Sequence, residues 1–143
     1  MRFITTLLFI ILSIITTNVS SFWVVSSEEN VKSEVRSKND LLLIFSLKKT
    51  HWKNGNPISV VVLSSNNRIH QDFVREILGI NHNILDNLWN IKIYSGNIAP
   101  PTVVKTKEEL IEYIRENNSA IGYIYSNDIP GVITFEIDQE LLK

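Results

Sequence analysis

Apolar and polar residues alternate along this chain in blocks whose period changes from strand-like to helix-like. The run Ile58–Leu63, ISVVVL, is continuous and β-branched, the pattern of a strand covered on both faces. A shorter run, Phe22–Ser26, FWVVS, also favours a strand. After "SSNN", residues Ile69, Phe73, Ile77 and Leu78 fall at i, i+4, i+8 and i+9, one face of a helix that Gly79 ends. A short helix is expected around Ile84–Trp89, and "YSGNIAPP" reads as a loop. Thr106 and Glu109 form a capping box ahead of a helix with Leu110, Tyr113 and Ile114 on its buried side. "AIGYIY" and "GVITFEI" read as two closing strands, with Asn127-Asp128 and Pro130-Gly131 turning between them.

Between the first two strands the polar stretch "SEENVKSEVRSKND" reads as surface. Ser37 and Asp40 resemble a capping box that introduces the buried helical block Leu41–Phe45. Asn54-Gly55 supplies turn chemistry, and Pro57 stands just before the strand. Strands alternating with helices imply an α/β fold, a mixed sheet covered by helices. Gly122, inside the AIGYIY strand, is the exception to the pattern. A strand glycine weakens pairing and marks a bulge or a close approach by another body.

The first residues belong to a different class. Arg2 precedes an apolar run from Phe3 to about Ile15, and small polar residues follow. Val19 and Ser21 stand where a signal peptidase looks for small side chains. Residues 1–21 therefore read as an export signal, the alternative being an uncleaved anchor. Residues 22–143 form one domain, long enough to bury a core unaided. The 143 residues carry 14 basic and 15 acidic side chains, so no global field favours nucleic acid or an anionic membrane. The membrane is reached only through the leader, if it stays. The absence of cysteine removes disulfides, thiolate metal sites and a thiol nucleophile together.

Candidate chemistry concentrates where the central strand feeds a helix. Ser64, Ser65, Asn66 and Asn67 offer short polar groups beside unsatisfied helix N–H groups, and Arg68 adds a planar cation. A first-turn Arg opposes the helix dipole unless an anion offsets it, so the turn is a candidate oxyanion site. The competing reading makes Ser and Asn ordinary N-caps and Arg68 a solvated side chain. No catalytic residue is assigned. The chain has no G-x-S-x-G, no Walker loop and no H-E-x-x-H. His51, His70 and His82, 19 and 12 apart, read as surface or half-buried residues rather than metal ligands, and no cofactor is implied. Trp52 and Trp89 read as packing. Glu108, Glu109, Glu112 and Glu116 read as one solvated helix face.

These blocks together resemble the short phosphate-binding-protein-like domains of bacterial periplasms, similar to one lobe of phosphate ABC-transporter substrate-binding proteins. The resemblance runs over about residues 22–127 and rests on several short matches. They are Lys48-Lys49, Trp52 and Gly55; Ser64, Ser65, Arg68 and Phe73; Trp89, Tyr94, Gly96, Pro100 and Pro101; and Ala120–Tyr123. It implies a single lobe of a type II periplasmic-binding-protein-like fold, a periplasmic location and a small oxyanion ligand, phosphate, with Gly122 beside the hinge and cleft. The chain departs from that pattern at two places. "SSEENVKSEV" lacks the family's proline, and "SSNN" replaces its Ser-Gly-Thr turn. A lone lobe leaves its ligand in water, where charge pairing is weak, unless a second chain completes the cleft. The alternative is an adaptor that kept the fold and binds an envelope protein instead of a small ligand.

Overall fold

The computed structural model describes residues 21–96, 98–125, 131–138 and 140–143; the expected leader up to residue 20 and the Asn127-Asp128 turn lie outside them. Among the described residues the order is β1 (Trp23–Ser26), α1 (Val31–Glu34), α2 (Lys38–Phe45), β2 (Ser59–Leu63) and α3 (Arg68–Asp72). A π-helical segment (Phe73–Leu78) continues α3, and α4 (His82–Ser95), β3 (Thr102–Val104), α5 (Lys107–Glu116), β4 (Ala120–Ile124) and β5 (Ile133–Glu136) follow. The strands form one five-stranded sheet in the order β3-β2-β4-β1-β5. β2 is parallel to β3 and β4, while β1 is antiparallel to β4 and β5, so the sheet is mixed as expected.

Local chemistry explains most boundaries. Ser37 caps α2 by accepting from the Asp40 N–H, and Thr106 caps α5 by accepting from the Glu109 N–H. Both acids reach back one residue further than a standard box, to the N–H groups of Arg36 and Lys105. Gly79 ends the π segment at φ +71°, a conformation glycine adopts without Cβ strain. The wider π turn lets four of its six residues, Phe73, Val74, Ile77 and Leu78, face the core.

Successive residues of a strand point to opposite faces, and β4 shows what each face carries. Tyr123 enters an aromatic cluster under α2 and the π segment. Its ring stacks on Phe73 with centroids 3.9 Å apart, and Phe45 and Phe22 close around the pair. Gly122 faces the other way, toward α5. A Cβ there would stand 3.0 Å from Leu110, 3.1 Å from Val61 and 3.2 Å from Ile114. The strand glycine thus exists because a helix is pressed against the sheet at that point.

Several expectations need correction. α4 runs to Ser95, well past Trp89, and takes in Tyr94-Ser95, which composition had assigned to a loop. The edge strand β3 was not foreseen. "SEENVKSEV" is not simply surface, because it folds into α1 and buries Glu28 and Glu34. The Glu34 carboxylate takes Lys49 at 2.7 Å and the Lys53 N–H at 2.9 Å, while Glu28 accepts from Asn54 at 3.2 Å. His51 is exposed and His82 half-buried, but His70 is fully buried. Trp52 and Trp89 are packed as anticipated, their indole N–H groups donating to the carbonyls of Ser119 and Phe45.

Candidate functional site

The strand β2 ends at Leu63 and turns at once into α3 through Ser64–Asn67. Backbone bonds tighten the turn: the Ser64 N–H donates to the Val104 carbonyl at 2.9 Å, and the Asn67 N–H donates to the Ser64 carbonyl at 2.8 Å. The structure brings Ser64, Ser65, Asn66, Asn67 and Arg68 together here, with unequal freedom. The Ser64 hydroxyl donates to Asn66 Oδ1 at 2.7 Å, and Asn67 Oδ1 caps α3 by accepting from the Ile69 N–H at 2.8 Å. Gln71 donates to the Ser65 carbonyl at 2.9 Å, leaving the Ser65 side chain exposed. The Arg68 side chain is 90% exposed and lies 3.6 Å from the Asp72 carboxylate one turn on. An intrachain acid therefore already offsets this first-turn cation, in part and in high dielectric.

A second element meets the turn. β2 connects through α3 and α4 to β3 on one side, and β3 connects through α5 to β4 on the other, so the strand order reverses between β2 and β4. The helices lie on opposite faces of the sheet, which opens a crevice at the carboxyl ends of those two strands. Open α/β sheets bind ligands at this position. Here the crevice holds about 110 Å³ and is lined by Leu63, Ile69, Lys107, Tyr123, Ile124 and Tyr125. Lys107 is half-buried and has no acid or hydrogen-bond partner among the described residues. Burial raises the Tyr125 phenol pKa, Glu76 and Asp72 add to the rise, and Arg75 and Arg68 oppose it.

Beneath the crevice a buried polar chain ties the elements together. The Tyr123 hydroxyl accepts from the Leu63 N–H at 3.1 Å and lies 2.6 Å from His70 Nδ1. The hydroxyl hydrogen has Nδ1 as its one acceptor shown within reach, so the phenol is assigned as the donor to Nδ1, which places the ring proton on Nε2. That Nε2–H has no partner among the described residues. Burial lowers the His70 pKa to about 4, with Asp86 opposing the shift and His82 adding to it. The ring is therefore neutral at physiological pH and serves as an acceptor for Tyr123. Burial also keeps the Tyr123 phenol protonated.

Sequence reasoning named the α3 side of this site and missed the α5 side, Tyr123 and His70. Two strand-to-helix turns in a parallel segment, at Ser64–Asn67 and at Lys105-Thr106, were the signal available. A roomier hollow of about 260 Å³ lies at the opposite, amino end of β2, between Lys49–His51 and Ile98. Its polar side chains are largely turned on themselves, Thr50 Oγ1 standing 2.9 Å from His51 Nδ1, so the smaller carboxyl-edge crevice is the better site. Among the described residues no three His, Asp or Glu side chains are grouped to hold a metal ion.

No protein-family model and no curated protein sequence matches the chain. Among solved structures it is similar to PstS from Borrelia burgdorferi, with a TM-score of 0.51 and 17% identity over 73% of this chain. The chain spans 40% of the length of that protein. At this identity the likeness is one of fold: a mixed sheet with helices, consistent with a single lobe of the periplasmic-binding-protein kind.

Proposed function

We propose that residues 22–143 are one lobe of the type II periplasmic-binding-protein-like fold, exported to the periplasm behind a leader at 1–21. In this reading the chain is a non-catalytic module that holds phosphate or another small oxyanion at the Ser64–Arg68 turn. The observation that carries the reading is the crevice where the strand order reverses, with Lys107, unpaired among the described residues, in its lining and Arg68 one residue before the lining residue Ile69. The fold likeness to a PstS and the ordered sequence matches to phosphate-binding lobes support it. With one wall of a cleft, binding is weak, in the range of exposed charge pairs. Titration of the purified chain with phosphate, with sulfate as control, tests the reading. A saturable response that Arg68→Ala removes, with thermal stability unchanged, is expected. A folded chain that responds to neither anion overturns the phosphate reading and leaves only another small oxyanion, such as a carboxylate, for this edge.

One observation favours the adaptor reading. On α4, Ile84, Ile91 and Tyr94 are 50%, 63% and 89% exposed, seven and three residues apart, with Asn87 between Ile84 and Ile91. Exposed apolar side chains grouped in this way suit a protein partner from the envelope. In that case Arg68→Ala is silent, and an envelope protein retrieved by the chain is lost with Ile91→Glu.

A further inference from the structure

The crevice described above is walled by carbon. Leu63, Ile69 and Ile124 contribute aliphatic groups, Tyr123 and Tyr125 contribute ring surface, and Lys107 is the one ionic group among its lining residues. The Tyr123 hydroxyl has its hydrogen engaged by His70 and accepts from the Leu63 N–H, so it has no donor left to offer an anion. Such a lining suits inorganic phosphate poorly. A doubly charged, strongly hydrated ion entering it would lose water and find few donors in return. An ion whose charge stays at the rim and whose carbon enters the crevice loses nothing comparable.

We infer that the ligand of this edge is a small organic anion, a monocarboxylate carrying three to five carbons. Its head lies at the rim between Lys107 and Arg68, and its chain fills the space between Leu63, Ile69, Ile124 and Tyr125. The inference rests on the proposed ligand-binding role of this edge and narrows its ligand class. Size sets the carbon count. An apolar cavity of about 150 Å³ accepts a benzene ring, so about 110 Å³ takes a propyl or branched butyl group and no more. Charge sets the head. Lys107 lacks an acid partner among the described residues, so a carboxylate can pair with it without displacing a buried pair, and Arg68, held only by a 3.6 Å contact with Asp72, adds positive charge beside the lining residue Ile69. Ile69 stands one residue after Arg68 at the start of α3, which couples the apolar wall to the cationic rim.

The test is a titration followed by amide chemical shifts, using the purified chain with acetate, butyrate, 3-methylbutanoate, octanoate and inorganic phosphate as separate probes. Shifts at Lys107, Ile124 and Tyr125 are expected to saturate with butyrate and 3-methylbutanoate. Affinity rises about fourfold for each methylene between acetate and butyrate, the value for a fully buried CH₂, and stops rising at octanoate. Lys107→Gln weakens every carboxylate several-fold. Ile69→Phe, which fills the crevice, abolishes the gain with chain length, so that acetate, butyrate and 3-methylbutanoate bind alike. If Ile69→Phe does not fold, Ile69→Met, a near-isosteric change, is expected to keep the chain-length series. Phosphate binding with no response to carboxylates, or affinity flat across the series, overturns this inference and leaves the oxyanion reading standing. No response to any probe overturns both.

Discussion

Protonation of His70 is expected to unfasten the crevice floor, and its cost follows from the geometry. The side chain is 1% exposed, its Nδ1 is assigned as the acceptor from Tyr123, and its Nε2–H has no partner among the described residues. A second proton must sit on Nδ1 and face a hydroxyl that already accepts from Leu63. The hydroxyl would lose the acceptor for its own hydrogen, and a cation would be left in the core. The pKa falls from 6.5 in the unfolded chain to about 4 in the fold, chiefly by burial. Because the folded value is the lower one, the unfolded chain binds the extra proton first. The contribution to stability is complete above the unfolded pKa and is lost as pH falls from 6.5 toward 4. The full difference is about 3 kcal/mol, of which about 2 kcal/mol is lost between pH 7.5 and 5. Urea unfolding across that range should show the midpoint falling by about 1 M, given a slope near 2 kcal/mol/M. In His70→Asn, which offers Tyr123 an acceptor but cannot ionise, the dependence above pH 5 should vanish at a lower absolute stability. Equal pH dependence in the two proteins, or a ring that titrates near 6.5 by NMR in the folded chain, would refute the reasoning.

Two further outcomes are expected. Gly122→Ala places a methyl 3.0–3.2 Å from Leu110, Val61 and Ile114, all of them fully buried. The overpacking outweighs the entropy gained by removing a glycine, so stability should fall by about 1–2 kcal/mol in chemical denaturation; a more stable variant would mean that α5 does not press on β4. Burial pushes the Glu34 carboxyl pKa up, but Lys49 and the Lys53 N–H together hold it below its usual 4.5. Its contribution is therefore present above about pH 4.5 and is lost on further acidification, below most of the His70 window. Glu34→Gln should cost about 1–3 kcal/mol at pH 7 and flatten the acid limb of the stability curve; an unchanged limb would count against the Lys49 pairing.

The extent to which each feature was legible in sequence tracks the distance over which its cause acts. The caps at Ser37 and Thr106, the stop at Gly79 and the buried run of β2 depend on residues within one turn or one strand, so pattern alone located them. Gly122 announced a close approach, and the structure supplies the body that approaches. The end of α4 escaped because Tyr94-Ser95-Gly96 has turn composition, whereas the helix is held by Leu85 and Trp89 earlier in its length. The strand β3 escaped because three residues carry no measurable period, and only pairing with β2 makes them a strand. The Ser64–Arg68 turn was visible as chemistry. The bonds that occupy Ser64 and Asn67, and the Asp72 carboxylate beside Arg68, were not.

Sequence by itself determined that this chain alternates strands with capped helices, has no cysteine chemistry and places a polar turn with an arginine after its central strand. Those are properties of neighbours, governed by backbone propensity and by side chains three or four residues apart. Only the tertiary structure decided that His70 is buried against Tyr123, that Glu28 and Glu34 lie beneath the surface, and that Lys107 stands across a crevice from Ile69. Each of these joins segments separated by tens of residues. Burial, desolvation and the meeting of two strand-to-helix turns at one sheet edge arise from how layers pack, and local pattern carries no record of which segments will share a layer.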